Sequence, residues 1–68
     1  MDTKFTERLK GLRTDKGLTT RELGEALGIS YGIISNWENG RRPLFDNNLV
    51  RLAKYFNVSL DYLAGLED

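Results

Sequence analysis

Cysteine and histidine are both absent from this chain. Their absence excludes disulfide staples, zinc sites built on thiolate or imidazole, thiol nucleophiles and histidine acid–base chemistry. A chain without cysteine also fits a reducing compartment. No apolar run approaches the ~20 residues that span a bilayer, and the opening Met1-Asp2-Thr3-Lys4-Phe5 has no hydrophobic signal core. The expectation is a cytoplasmic protein with no membrane contact. Net charge is missing too, because ten basic and ten acidic residues cancel. Nucleic-acid binders usually carry a basic excess. Here Asp61, Glu67 and Asp68 crowd the last eight residues, and the remainder is richer in basic than in acidic groups. Placement matters more than the sum, since phosphate contacts are local.

What is present is a chain of 68 residues, long enough for a single domain over 1–68. A domain this small buries only ~60% of the surface its unfolded chain exposes. With no disulfide or metal to brace it, it has to pack efficiently.

The patterning is helical. Phe5, Leu9 and Leu12 recur at i, i+4, i+7 along one face. Asp2 or Thr3 can cap that helix, and Gly17 can end it in a left-handed conformation. Thr19 and Glu22 have the spacing of a capping box, so a second helix starts there. Its Leu23, Ala26 and Leu27 are expected to face inward, and Gly28 stops it. Ser30 can cap a third helix carrying Ile33, Ile34 and Trp37, ended by Asn39-Gly40. Arg41 to Phe45 reads as a loop holding the only proline, Pro43. Asp46 can cap a fourth helix with Leu49, Leu52, Ala53 and Phe56 at i, i+3, i+4, i+7, broken by Asn57. Ser59 caps a short fifth helix, Leu60 to Ala64, closed by Gly65. The expected fold is all-α, five helices around one core. The Gly65-Leu66-Glu67-Asp68 end suits either a natural terminus or the cut end of a longer protein.

The stretch from about 20 to 39 carries the functional signal. Two short helices joined by Gly28-Ile29-Ser30 must cross steeply to share a core. That crossing needs a small residue at the close approach, Gly24, and a residue tolerant of positive φ in the turn, Gly28. It also needs apolar groups in the angle between the helices: Leu23, Leu27, Ile29, Ile34 and Trp37. Such a pair is a helix-turn-helix, whose second helix can enter a major groove.

Three segments carry a family resemblance: Leu23-Gly24-Glu25-Ala26-Leu27-Gly28-Ile29-Ser30, Ile34-Ser35-Asn36-Trp37-Glu38-Asn39-Gly40 and Phe56-Asn57-Val58-Ser59-Leu60-Asp61-Tyr62-Leu63. With Arg13, and in this order and spacing, they resemble the lambda-repressor-like, Cro-type (Xre) helix-turn-helix family. The resemblance implies the same five-helix bundle and duplex DNA as partner. It implies a palindromic operator, a homodimer on DNA and a repressor's role. A C-terminal domain or an antirepressor would be a further partner. No catalytic residue, metal or cofactor is implied. Position by position, Thr20 stands where the family presents a glutamine to phosphate, with shorter reach. Tyr31, Gly32, Ile33, Ser35 and Asn36 occupy the base-reading face. Asn39, Gly40, Arg41 and Arg42 occupy the segment that grips the backbone. Arg13 and Glu38 occupy the positions of a partly buried structural ion pair.

Each candidate has a plainer reading beside the functional one. Asn36 can make paired hydrogen bonds to adenine N6 and N7, or be an ordinary surface amide. Ser35 has a similar claim with less reach. Ile33 can contact a thymine methyl, although single exposed apolar residues are common. Tyr31 can meet phosphate or sugar, or shield the helix start. Gly32 costs on the order of 1 kcal/mol of helix stability, for close backbone approach to DNA or through drift. Arg41 and Arg42 offer planar forks suited to phosphate, or form a solvated loop. Arg21 sits in the first turn of a helix, a poor place for a cation unless a phosphate lies near. Trp37 reads as core.

Two other functions compete. The first is a protein-binding regulator or antitoxin component on the same scaffold, suggested by zero net charge and by Tyr55 and Tyr62. The second is an enzyme, for which the chain offers no phosphate loop and no metal constellation.

Overall fold

The computed structural model describes residues 3–40 and 47–66. Its elements are α1 (Thr3–Asp15), α2 (Thr20–Leu27), α3 (Tyr31–Glu38), α4 (Asn47–Phe56) and α5 (Leu60–Ala64). The five-helix, all-α architecture expected from periodicity is the one observed. Asp2 and Asp46, expected as caps, and the loop Arg41 to Phe45 lie outside the described residues.

Local chemistry explains where the helices begin. The Thr19 hydroxyl accepts from the Glu22 amide at 3.0 Å, and the Glu22 carboxylate accepts from the Thr19 amide at 2.8 Å. This is a complete capping box that satisfies two otherwise orphaned donors. Ser30 accepts from the Gly32 amide at 3.3 Å, and Ser59 from the Tyr62 amide at 3.0 Å.

Helix ends share one device. Gly17, Gly28, Asn57 and Gly65 all have positive φ. The residue after each donates back across the turn, as when Ile29 N–H reaches the Gly24 carbonyl at 2.8 Å and Leu66 N–H reaches that of Asp61 at 2.8 Å. A left-handed residue of this kind closes a helix by satisfying its last carbonyls.

The helices surround one core of Phe5, Leu9, Leu23, Leu27, Ile34, Trp37, Leu49, Leu52, Ala53, Phe56, Leu63 and Ala64. Leu12, Ile29 and Leu60 pack partly against it. Burying the leucine, isoleucine and phenylalanine side chains of this core stabilises the domain by about 1.5–3 kcal/mol each relative to full exposure. Ala26 corrects the sequence reading: it is exposed, and the inward face of α2 is Leu23, Gly24 and Leu27. A methyl group has little area to bury, so a two-turn helix loses little by turning it to water.

Candidate nucleic-acid interface

The joint between α2 and α3 is fixed by backbone clearance. A Cβ on Gly24 would stand 2.4 Å from the Ile29 carbonyl oxygen and 3.2 Å from the Tyr31 nitrogen. Only a glycine lets α2 pass this close to the turn and to the first residue of α3. Gly28, at φ 68°, makes the turn itself. Leu23 and Ile34 are fully buried and Trp37 nearly so, so the rotation of both helices about their axes is set by packing.

A second lock sets the far end of α3. Arg13 on α1 donates from Nε to Glu38 Oε2 at 2.6 Å and from Nη2 to Glu38 Oε1 at 3.0 Å. Its Nη1 donates to the Leu18 carbonyl at 2.6 Å. The two side chains are 13% and 9% exposed. Hydrogen bonding to Glu38 holds the Arg13 guanidinium above its ordinary value against the opposing effect of burial, so Arg13 stays charged. A fork-to-fork pair of this geometry binds α1, the α1–α2 connection and the end of α3 into one unit. Thr6 adds a hydrogen bond from its hydroxyl to the Trp37 carbonyl at 3.2 Å.

With its inner face fixed, α3 turns a defined row outward. Tyr31 is 50% exposed and Ile33 43%. Asn36 is exposed, while Gly32 and Ser35 are half-buried. A Cβ on Gly32 would meet only the Ser30 hydroxyl, at an ordinary 3.6 Å, so the fold itself does not require glycine there. Thr20 is half-buried at the start of α2 and Arg21 is exposed beside it. Asn39 is exposed at the end of α3, and Gly40 follows with φ 108°. Arg41 and Arg42 lie outside the described residues.

Contacts between elements add pairings that the spacing of residues did not specify. The Arg21 guanidinium lies 4.4 Å from the centroid of the Tyr31 ring, joining the start of α2 to the start of α3. Arg8 on α1 donates to the Tyr62 carbonyl and lies 4.2 Å over that residue's ring. Lys16 lies 4.9 Å over the Tyr55 ring. Arg51 on α4 is exposed and brings its Nη2 to 3.8 Å from the Cβ position of Gly28 at the turn. Among the described residues no group of three or more acidic side chains is placed to hold a metal ion. No described helix is long and apolar enough to cross a membrane.

Comparison with known proteins agrees with this geometry. A family model described as helix-turn-helix matches residues 9–63. The chain is 38% identical over 65 residues to the HTH-type transcriptional activator BcrR of Enterococcus faecalis, covering 96% of this chain and 32% of that protein. It is 37% identical over 62 residues to the HTH-type transcriptional regulator ImmR of Bacillus subtilis, covering 91% and 49%. It is 34% identical over 65 residues to the HTH-type transcriptional regulator DdrOP3 of Deinococcus deserti, covering 94% and 50%. The chain thus spans half or less of the length of these relatives. No solved structure is significantly similar to it. From the joint at Gly24 and Gly28 to the cap at Ser59, this chain belongs to the Xre (Cro-type) helix-turn-helix family, a family of non-enzymatic, DNA-binding transcription regulators.

Proposed function

We propose that the chain recognises a specific duplex DNA site as a transcriptional repressor in the cytoplasm, with α3 in the major groove. The observation that supports this most is the contrast across α3. Ile34 and Trp37 are locked into the core, while Tyr31, Ile33 and Asn36 stand exposed. A helix held so firmly on one side presents a rigid reading surface on the other. Asn36 and Ser35 are the polar base readers, and Ile33 is the thymine-methyl contact. Gly32 lets the backbone come close. Thr20, Arg21, Asn39, Gly40, Arg41 and Arg42 hold register on phosphates, which position the protein without specifying sequence.

Repression would follow from occupancy of a palindromic operator by a homodimer, with an antirepressor or a C-terminal domain as a further partner. One relative is named an activator, so the sign of regulation needs its own test. Selection from random duplexes gives the consensus and shows whether it is palindromic. Transcription from a template whose promoter overlaps that site then falls for a repressor and rises for an activator. A chain that retains no duplex in a salt-dependent way fails the DNA reading altogether. The alternative, a protein-binding regulator or antitoxin component, draws less support from Tyr55 and Tyr62 than the sequence suggested. Both are half-buried, and each ring already carries a cation from α1 or from the residue just after it.

A further inference from the structure

Arg21 occupies the first turn of α2, where the helix already presents partial positive charge. That position is mildly unfavourable for a cation at an exposed site. The acidic residue of the same turn, Glu22, eases the dipole without pairing with Arg21. Among the described residues Arg21 forms no ion pair, and the adjacent Glu22 carboxylate is engaged by the Thr19 amide in the capping box. The side-chain contact of Arg21 comes from across the helix-turn-helix. The guanidinium carbon lies 4.4 Å from the centroid of Tyr31, whose ring is half-exposed at the head of α3. The negative face of an aromatic ring attracts a cation held over it. A guanidinium carries five N–H donors, so one whose carbon is held over a ring keeps donors turned away from the ring for an acceptor.

We propose that Arg21 and Tyr31 act as one unit, in which the ring holds the guanidinium ready to grip a DNA phosphate at the entrance of α3 to the groove. The inference rests on the DNA-binding reading above and changes the role of Tyr31. The ring acts through Arg21 and is a positioning residue; it neither reads a base nor touches the backbone itself. Its contribution is order. A freely swinging arginine loses rotamer freedom when it meets a phosphate, and a side chain already laid on a ring loses less. Phosphate is the favoured acceptor because Arg21 projects from α2, outside the α3 row of Ile33 and Asn36 that would face the bases.

The test uses the selected duplex and a salt series with five proteins: wild type, Arg21→Ala, Tyr31→Phe, Tyr31→Leu and the Arg21→Ala/Tyr31→Leu double variant. Both positions are exposed, so all should melt near the wild-type temperature. Arg21→Ala should weaken binding about tenfold and reduce the log–log salt slope by about one. Tyr31→Phe keeps the ring and should stay within about twofold of wild type. Tyr31→Leu keeps bulk without the ring and should weaken binding several-fold. The double variant should be no weaker than Arg21→Ala alone within about twofold, since the ring has nothing left to hold. The selected consensus should be unchanged throughout. Losses that multiply in the double variant would overturn the proposal, showing two independent contacts. So would a Tyr31→Phe loss equal to that of Tyr31→Leu, which would make the hydroxyl the contact. Relaxed preference at a consensus base in Arg21→Ala, with the slope intact, would make Arg21 a base reader. Absence of salt-dependent binding by the wild type would instead sink the DNA reading, and this inference with it.

Discussion

Gly24 and Gly32 sit on consecutive helices of the same motif, yet a methyl group added to each would meet opposite surroundings. At Gly24 it would stand 2.4 Å from a backbone oxygen, and at Gly32 its nearest neighbour outside the helix backbone would be a serine hydroxyl at 3.6 Å. The first glycine is explained by the fold and the second is not. The same division runs through the whole helix-turn-helix. On the inner side Leu23, Leu27, Ile34 and Trp37 are buried, and Glu38 holds Arg13 at the end of α3. On the outer side Arg21, Tyr31, Ile33 and Asn36 are exposed, and their identities matter little to the core. The inner face is shaped by packing within the chain, and the outer face by whatever it meets.

Substitutions should divide along the same line. The largest effect on stability is expected at Glu38→Ala, which strands the Arg13 charge without its carboxylate. Breaking a largely buried pair from one side costs about 3–5 kcal/mol. Denaturant unfolding of Glu38→Ala, Arg13→Ala and the double variant measures it. A loss of ~1 kcal/mol or less, typical of a surface pair, would place Glu38 with the outer face and blur the division. Gly24→Val comes next. The turn backbone at Ile29 would have to move, and overpacking of this kind costs about 1–3 kcal/mol. An unchanged denaturation midpoint would show that the close approach relaxes freely.

Gly32→Ala should have the opposite sign. At the second position of α3, with room for the new methyl, it should raise stability by less than the ~1 kcal/mol of a helix interior while weakening binding to the selected duplex. Paired melting and binding measurements decide it. A gain in stability with undiminished binding would mean that Gly32 is not a clearance for DNA.

Much of the inner side was legible in the sequence because it obeys local rules. Thr19 with Glu22, Ser30 and Ser59 announced helix starts, and Gly17, Gly28, Asn57 and Gly65 announced stops. The apolar spacing of α4 named its buried residues, Leu49, Leu52, Ala53 and Phe56, correctly. Ala26 was misplaced because a helix of two turns gives periodicity too few residues to separate neighbouring positions on its face. The pairing of Arg13 with Glu38 came from family resemblance; nothing in the spacing of residues so far apart in the chain specifies a partner. The stacks of Arg8 on Tyr62, Lys16 on Tyr55 and Arg21 on Tyr31 were not legible for the same reason. Periodicity assigns a side chain to a face, and only the crossing of helices decides which side chain it meets. The one clue was Arg21 itself, a cation at the wrong end of a helix.

The smallest expected effect on stability belongs to Asn36→Ala, and this variant tests most directly the claim that the outer face of α3 reads DNA. Asn36 is exposed between the buried anchors Ile34 and Trp37, so removing its amide should leave the melting temperature close to wild type. Removing one base-reading side chain costs ~1–3 kcal/mol of discrimination. Selection from random duplexes with wild type and Asn36→Ala side by side should return the same site with preference relaxed at one position in each half-site. The half-sites should lie about one DNA turn, ~34 Å, apart if two copies bind symmetrically. An identical consensus at identical stringency from both proteins would contradict the account, leaving Asn36 an ordinary surface residue and the reading face elsewhere.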